Sequence, residues 1–141
     1  MISKTNVIIF AILIIISITG AYYKFVNSTK SNQSECKVLS DICAFKHQYG
    51  EIRIEFVTEI QTEEEIILNI DIPEDLVLDE AWVEGVDMFM GKTPVVLEND
   101  KYVTFLGSCN LAKMKWRLNL KILNKNGQVQ LYSAIFYTRQ D

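Results

Sequence analysis

Two methionines separated by a single residue are the side chains in this sequence best suited to bind a soft metal ion. Met88 and Met90 flank Phe89, and in an extended segment their Cα atoms would lie about 6.6 Å apart on the same side. Thioether and thiolate ligands favour Cu(I) over harder metals. Together with Cys109, or with His47 in its place, the pair would form a three-ligand Cu(I) site.

The same residues also have two simpler interpretations. Methionine fills irregular gaps in a core, and an aromatic residue between two methionines is ordinary packing material. An exposed segment of this composition would instead bind a partner protein. Cys109 has no basic residue within two positions, which is typical of a buried apolar cysteine rather than a reactive thiol. Core packing, Cu(I) binding and partner binding remain alternatives, and the sequence favours packing.

The inventory of catalytic side chains argues against an enzyme. His47 is the only histidine in the 141 residues, so any Ser-His or Cys-His pair would depend on it. The sequence has no glycine-rich phosphate loop, no paired CxxC motif and no carboxylates at calcium-loop spacing. His47 precedes Gln48, Tyr49 and Gly50, a context that predicts an exposed turn residue. We therefore expect no catalytic residue, and we identify no small-molecule substrate.

The beginning of the chain carries a long uncharged segment. Residues 5–23 contain no charged side chain, and nineteen helical residues would reach roughly 28 Å, close to the hydrocarbon thickness of a bilayer. A signal peptide is the alternative, with Lys4 at its basic end and a small-residue cleavage site at residues 19–21. The apolar run is longer than the core of a usual signal peptide, which favours an uncleaved anchor formed by residues 1–25.

A polar stalk and a cysteine pair follow this segment. Residues 26–35 are rich in Ser, Asn, Thr and Lys and predict a flexible linker. Cys36 and Cys43, seven positions apart, are typical of a disulfide in an oxidising compartment. The uncharged segment and the cysteine pair together predict a single pass through the cytoplasmic membrane, with the following domain in the periplasm. Cys109 is then the odd thiol.

Charge is distributed unevenly along the remaining domain, residues 36–141. Residues 51–100 carry fifteen Asp or Glu against two basic residues, whereas residues 101–141 carry seven Lys or Arg against one Asp. The simplest interpretation is that the two halves pair across strands. Nucleic-acid binding requires a clustered basic face, so we expect no nucleic-acid partner.

Hydrophobic residues in this domain recur with a period of two, which predicts half-buried strands. Ile54, Leu68, Trp82, Leu118 and Leu120 are expected to face one core. The last strand is apolar on both faces and should lie in the middle of a sheet or under a cover. Turn signals separate the strands and predict an all-β, seven-stranded antiparallel sandwich of immunoglobulin-like type behind an N-terminal transmembrane helix. The seven strands are expected at residues 52–56, 66–72, 81–86, 95–97, 102–106, 116–122 and 129–137.

The segment from Gly85 to Gly91, followed by Cys109 and by residues 114–116, resembles a family of uncharacterised single-pass bacterial envelope proteins. That family has a G-V-D-M-x-M-G core and a cysteine pair like Cys36 and Cys43. In overall layout the chain also resembles the FixH and YtkA-like single-span proteins, which are linked to cytochrome oxidase assembly and copper.

These observations together predict a membrane-anchored extracytoplasmic β-sandwich that acts as a non-enzymatic accessory or binding module of the bacterial envelope, with a protein of the envelope as its partner. The alternative is a copper-handling accessory protein for respiratory oxidase assembly, with Met88, Met90 and Cys109 as the Cu(I) ligands.

Overall fold

The computed structural model describes residues 12–20, 33–38, 40–108 and 113–139. The chain divides into two compact units, residues 1–31 and 32–141. In the first unit, residues 12–20 are helical, and the hydroxyl groups of Ser17 and Thr19 donate hydrogen bonds to backbone carbonyls one turn earlier. No helix within the described ranges is long and apolar enough to cross a membrane. The rest of the predicted 1–25 segment lies outside the described residues.

The second unit is built from β-strands, as the alternating sequence predicts, and these strands form two sheets of five. The first sheet has the strand order β1-β10-β9-β5-β6, and the second has the order β2-β3-β4-β8-β7. The strands are β1 (Gln33–Lys37), β2 (Ile42–His47), β3 (Gly50–Phe56), β4 (Glu65–Asp71), β5 (Leu76–Gly85), β6 (Lys92–Pro94), β7 (Val96–Glu98), β8 (Lys101–Phe105), β9 (Lys113–Asn124) and β10 (Val129–Arg139).

The described residues thus form ten strands rather than seven, for two physical reasons. β1 and β2 were not expected, and β1 begins at Gln33, within the predicted stalk, because backbone pairing with β10 orders a polar segment that has no apolar alternation of its own. The single strand predicted near Val95 is two strands, because the backbone N–H of Val95 bonds the carbonyl of Ala81 and the chain then passes from the first sheet to the second.

The sheets are also not wholly antiparallel. β1 runs parallel to β10, with Gln33 opposite Leu131 and Lys37 opposite Ile135, whereas the other paired strands described are antiparallel. β10 therefore lies between β1 and β9. This confirms the expectation that the strand with two apolar faces lies inside a sheet.

The two sheets share one hydrophobic core, and most of the predicted alternation defines its faces. Ile54, Leu68, Leu118 and Leu120 are each fully buried. Trp82 is different: its neighbours Ala81 and Val83 are buried in the core, and Trp82 is only half-buried. A β-bulge between Leu78 and Glu80 shifts the register of β5 against β9, which exchanges the faces of the residues that follow it.

The acidic and basic halves of the sequence meet across strands, as expected. Lys121 Nζ lies 2.6 Å from Asp79 Oδ2, and Arg117 Nη1 lies 3.5 Å from Glu84 Oε1. The hydrogen bond from Lys121 to Asp79 raises the pKa of the lysine above its ordinary value. The uneven charge along the sequence is therefore compensated inside the first sheet, between β5 and β9.

Candidate functional site

The predicted methionine pair does not lie in an extended segment. β5 ends at Gly85, and residues 86–88 form a bend. Met88 is 45 % exposed and Phe89 is 93 % exposed, whereas Met90 packs against the core. The thioethers of Met88 and Met90 therefore have different environments, because the bend removes the two-residue alternation that the prediction assumed.

Met90 packs closely against glycines on two sides. A Cβ on Gly107 would lie 3.2 Å from Met90 Cε, and a Cβ on Gly85 would lie 3.2 Å from Met90 Cγ. The Gly85 Cβ would also come within 2.5 Å of Cε of the fully buried Met114. Absent side chains at both glycines thus make room for Met90, and this close packing is a structural role for the methionine.

The third predicted copper ligand, Cys109, lies outside the described residues, so the Cu(I) site formed by Met88, Met90 and Cys109 remains a prediction. Within the part of the chain that the structure describes, no three His, Cys, Asp or Glu side chains are grouped to hold a metal ion.

A double substitution distinguishes packing from copper binding. We expect Met88→Leu with Met90→Leu to change the free energy of unfolding by less than about 1.5 kcal/mol, because the volume is conserved. Thermal unfolding with and without Cu(I), under reducing conditions, provides the measurement. A rise in the unfolding temperature of the wild type with Cu(I) that disappears in the double variant would instead identify the thioethers as ligands.

The predicted cysteine pair is brought together. Cys36 in β1 and Cys43 in β2 are at disulfide distance, with their Cα atoms 6.3 Å apart. β1 belongs to the first sheet and β2 to the second. The pair therefore connects edge strands of the two sheets on one side of the sandwich.

His47, the only histidine of the chain, is not the exposed turn residue that its sequence context predicts. It ends β2, is half-buried, and its Nε2 lies 2.9 Å from Oε1 of Gln130 in β10. The backbone N–H of Tyr49 donates to His47 Nδ1 at 3.2 Å. Because Nδ1 accepts this bond, the ring proton lies on Nε2 and is donated to Gln130.

A second donor reaches the same oxygen. The hydroxyl of Tyr132 donates to Gln130 Oε1 at 2.7 Å, and burial raises the pKa of Tyr132, which keeps the phenol protonated. The Tyr132 ring packs edge-on against Phe45, with the ring centroids 5.1 Å apart. The His47, Gln130 and Tyr132 side chains thus form a hydrogen-bonded cluster that joins the two sheets and rests on the core.

This cluster forms the floor of an open cleft of about 540 Å³, a size typical of small-molecule sites. Strand alternation places His47 and Gln130 in register with buried core positions of their strands, and Ser34 in register with the half-buried Cys36. The interior of the sandwich therefore changes from apolar to polar at this end. The residues that line the cleft are Ser34, Lys46, His47, Gln48, Gln128, Gln130 and Tyr132.

Another depression, of about 380 Å³, lies along residues 56–61 with Asp41 and Tyr137. Its polar groups mainly tie the loop to its neighbours: Thr58 Oγ1 accepts from the N–H of Ile67, and Gln61 donates to Glu59. We therefore regard the cleft at His47 as the better candidate site.

Sequence reasoning did not find this cleft, since His47 and Gln130 lie 83 positions apart. The one sequence signal for the cleft was at the start of the last strand, where Gln128, Gln130 and Tyr132 alternate. Polar residues there take the place of apolar ones on the core-facing side. No protein-family model, curated protein or solved structure matches the chain.

Proposed function

We propose that this chain is a membrane-anchored, extracytoplasmic and non-enzymatic binding module of the bacterial envelope, and that the cleft at His47 binds its ligand. The observation that carries the proposal is the hydrogen-bonded cluster of His47, Gln130 and Tyr132 at the cleft floor. Fixed polar groups inside a concave site are what orient a bound ligand. The cluster also joins side chains from β2 and β10, one strand of each sheet.

Location in the periplasm with a single membrane anchor is part of the same proposal. The uncharged run at residues 5–23 and the cysteine pair support it, since a disulfide is typical of an oxidising compartment. The resemblance to single-pass envelope proteins points in the same direction.

We also propose that the sandwich is of immunoglobulin-like type. The chain passes from the second sheet to the first between β4 and β5 and again between β8 and β9. Crossings of this kind between two sheets are typical of Greek-key sandwiches. The hairpin of β2 and β3 forms one edge of the second sheet.

The single histidine makes the cleft directly observable. With the full-length protein in detergent micelles, labelled with ¹⁵N at histidine and tryptophan, we expect the imidazole signal of His47 to shift saturably with at least one class among sugars, amino acids, carboxylates and phosphates. The indole signal of Trp116, which is buried in the core and donates to Thr138, serves as the internal control. A His47 signal that none of these classes shifts would contradict the proposal.

A further inference from the structure

Two of the three glutamine side chains at the cleft, Gln128 and Gln130, have their amide oxygens engaged within the protein. Gln130 Oε1 accepts from both His47 Nε2 and the Tyr132 hydroxyl, which uses both of its lone pairs. A glutamine amide offers one oxygen acceptor and one NH₂ donor group. Only the NH₂ group of Gln130 is therefore left to bind a ligand.

Gln128 is held in a similar way by the turn between β9 and β10. Asn124 Oδ1 accepts from the backbone N–H groups of Asn126 and Gln128 at 3.0 and 2.9 Å. The NH₂ group of Asn124 is therefore the donor in the 2.8 Å bond to Gln128 Oε1. The turn thus orients the amide oxygen of Gln128 toward Asn124, and the NH₂ group of Gln128 faces away from Asn124.

The charged side chains at the cleft also favour a ligand that accepts hydrogen bonds. Its described lining includes one cation, Lys46, and no Asp or Glu. The residue opposite Lys46 on β3 is Glu51, and Glu51 is bonded to Arg53 at 3.0 Å. An acceptor-rich, negatively charged ligand matches a site that offers N–H donors and a positive charge at its rim.

We infer that the cleft binds an oxyanion, a carboxylate or a phosphate group, through the NH₂ groups of Gln128 and Gln130 with Lys46 at the rim. This inference rests on the proposed function and specifies its ligand. Hydrogen bonds to a charged acceptor are roughly twice as strong as neutral ones. The two amides consequently favour the anion over a neutral molecule of the same shape.

The probes are acetate, inorganic phosphate and the neutral acetamide, added at constant pH and ionic strength to full-length protein with ¹⁵N-labelled histidine. We expect acetate or phosphate to shift the His47 signal saturably and acetamide to leave it in place. A response to acetate alone assigns a carboxylate ligand, and a response to phosphate alone assigns a phosphate.

Gln130→Glu is the decisive variant. One carboxylate oxygen of the new residue still accepts from His47 and Tyr132, while the other replaces the NH₂ donor with a negative charge. We expect anion affinity to fall by about tenfold or more. Gln61→Glu makes the same change of charge in the distant loop 57–61 and should alter affinity by less than about twofold.

The outcomes separate the inference from the proposed function. A His47 signal that responds to acetamide or to sugars but not to the two anions would overturn the oxyanion assignment and leave the binding cleft in place. Anion binding that Gln130→Glu and Gln61→Glu weaken equally would also overturn it, because general charge repulsion would then explain the effect. A His47 signal that responds to no ligand contradicts the proposed function itself.

Discussion

Replacing Leu118 by alanine should lower the free energy of unfolding by about 2 to 5 kcal/mol. Leu118 is fully buried on β9, in the middle of the first sheet, between β10 and β5. The substitution removes apolar contacts and leaves a cavity that neighbours such as Trp116 and Leu120 cannot fill without moving. Urea unfolding of the full-length chain in mild detergent, followed by tryptophan fluorescence, measures the loss.

Leu97→Ala provides the matched control. Leu97 lies on the edge strand β7 and is 61 % exposed, so the same chemical change there should cost less than about 0.5 kcal/mol. Equal losses for the two variants would mean that the two sheets do not enclose their core as described.

Removing the cysteine pair should have the second-largest effect. We expect Cys36→Ala with Cys43→Ala to lower stability by about 2 to 3 kcal/mol, because a cross-link over so short a loop restricts the unfolded chain by that amount. The edge strand β1 also loses its covalent tie to β2. The wild type unfolded in the presence of a thiol reductant should show the same loss in urea.

Cys109→Ala is the control, and it should leave the urea midpoint unchanged, because Cys109 is expected not to pair within the chain. Peptide mapping without reduction should recover Cys36 linked to Cys43 and no intrachain partner for Cys109. A peptide that links Cys43 to Cys109 would contradict this pairing.

Local patterns were sufficient to predict most of the fold. Alternation correctly assigned the buried faces of β3 and β9, since each strand keeps one register along its length. The turn signals also held: Asn99 and Asp100 adopt positive φ and connect β7 to β8, and Gly127 has a φ of 74° in the turn before β10. Left-handed turn residues of these types are what tight hairpins require.

Features that depend on distant parts of the chain could not be predicted in this way. The bulge in β5 moved Trp82 out of the core, and a bulge has no period of its own in a sequence. β1 became a strand because β10 pairs with it, not because of its own composition. The cleft at His47 requires β2 and the start of β10 to meet, which is a consequence of the completed sandwich.

The parallel pairing of β1 and β10 has a mechanical consequence. These are the first and last strands described, and they lie side by side in the same direction. A pull on the chain before Gln33 and after Arg139 drags the two strands past each other lengthwise. Their hydrogen bonds then carry the load together instead of opening one at a time. Force that reaches Cys36 passes through the cross-link to β2, so β1 does not separate from the sandwich alone.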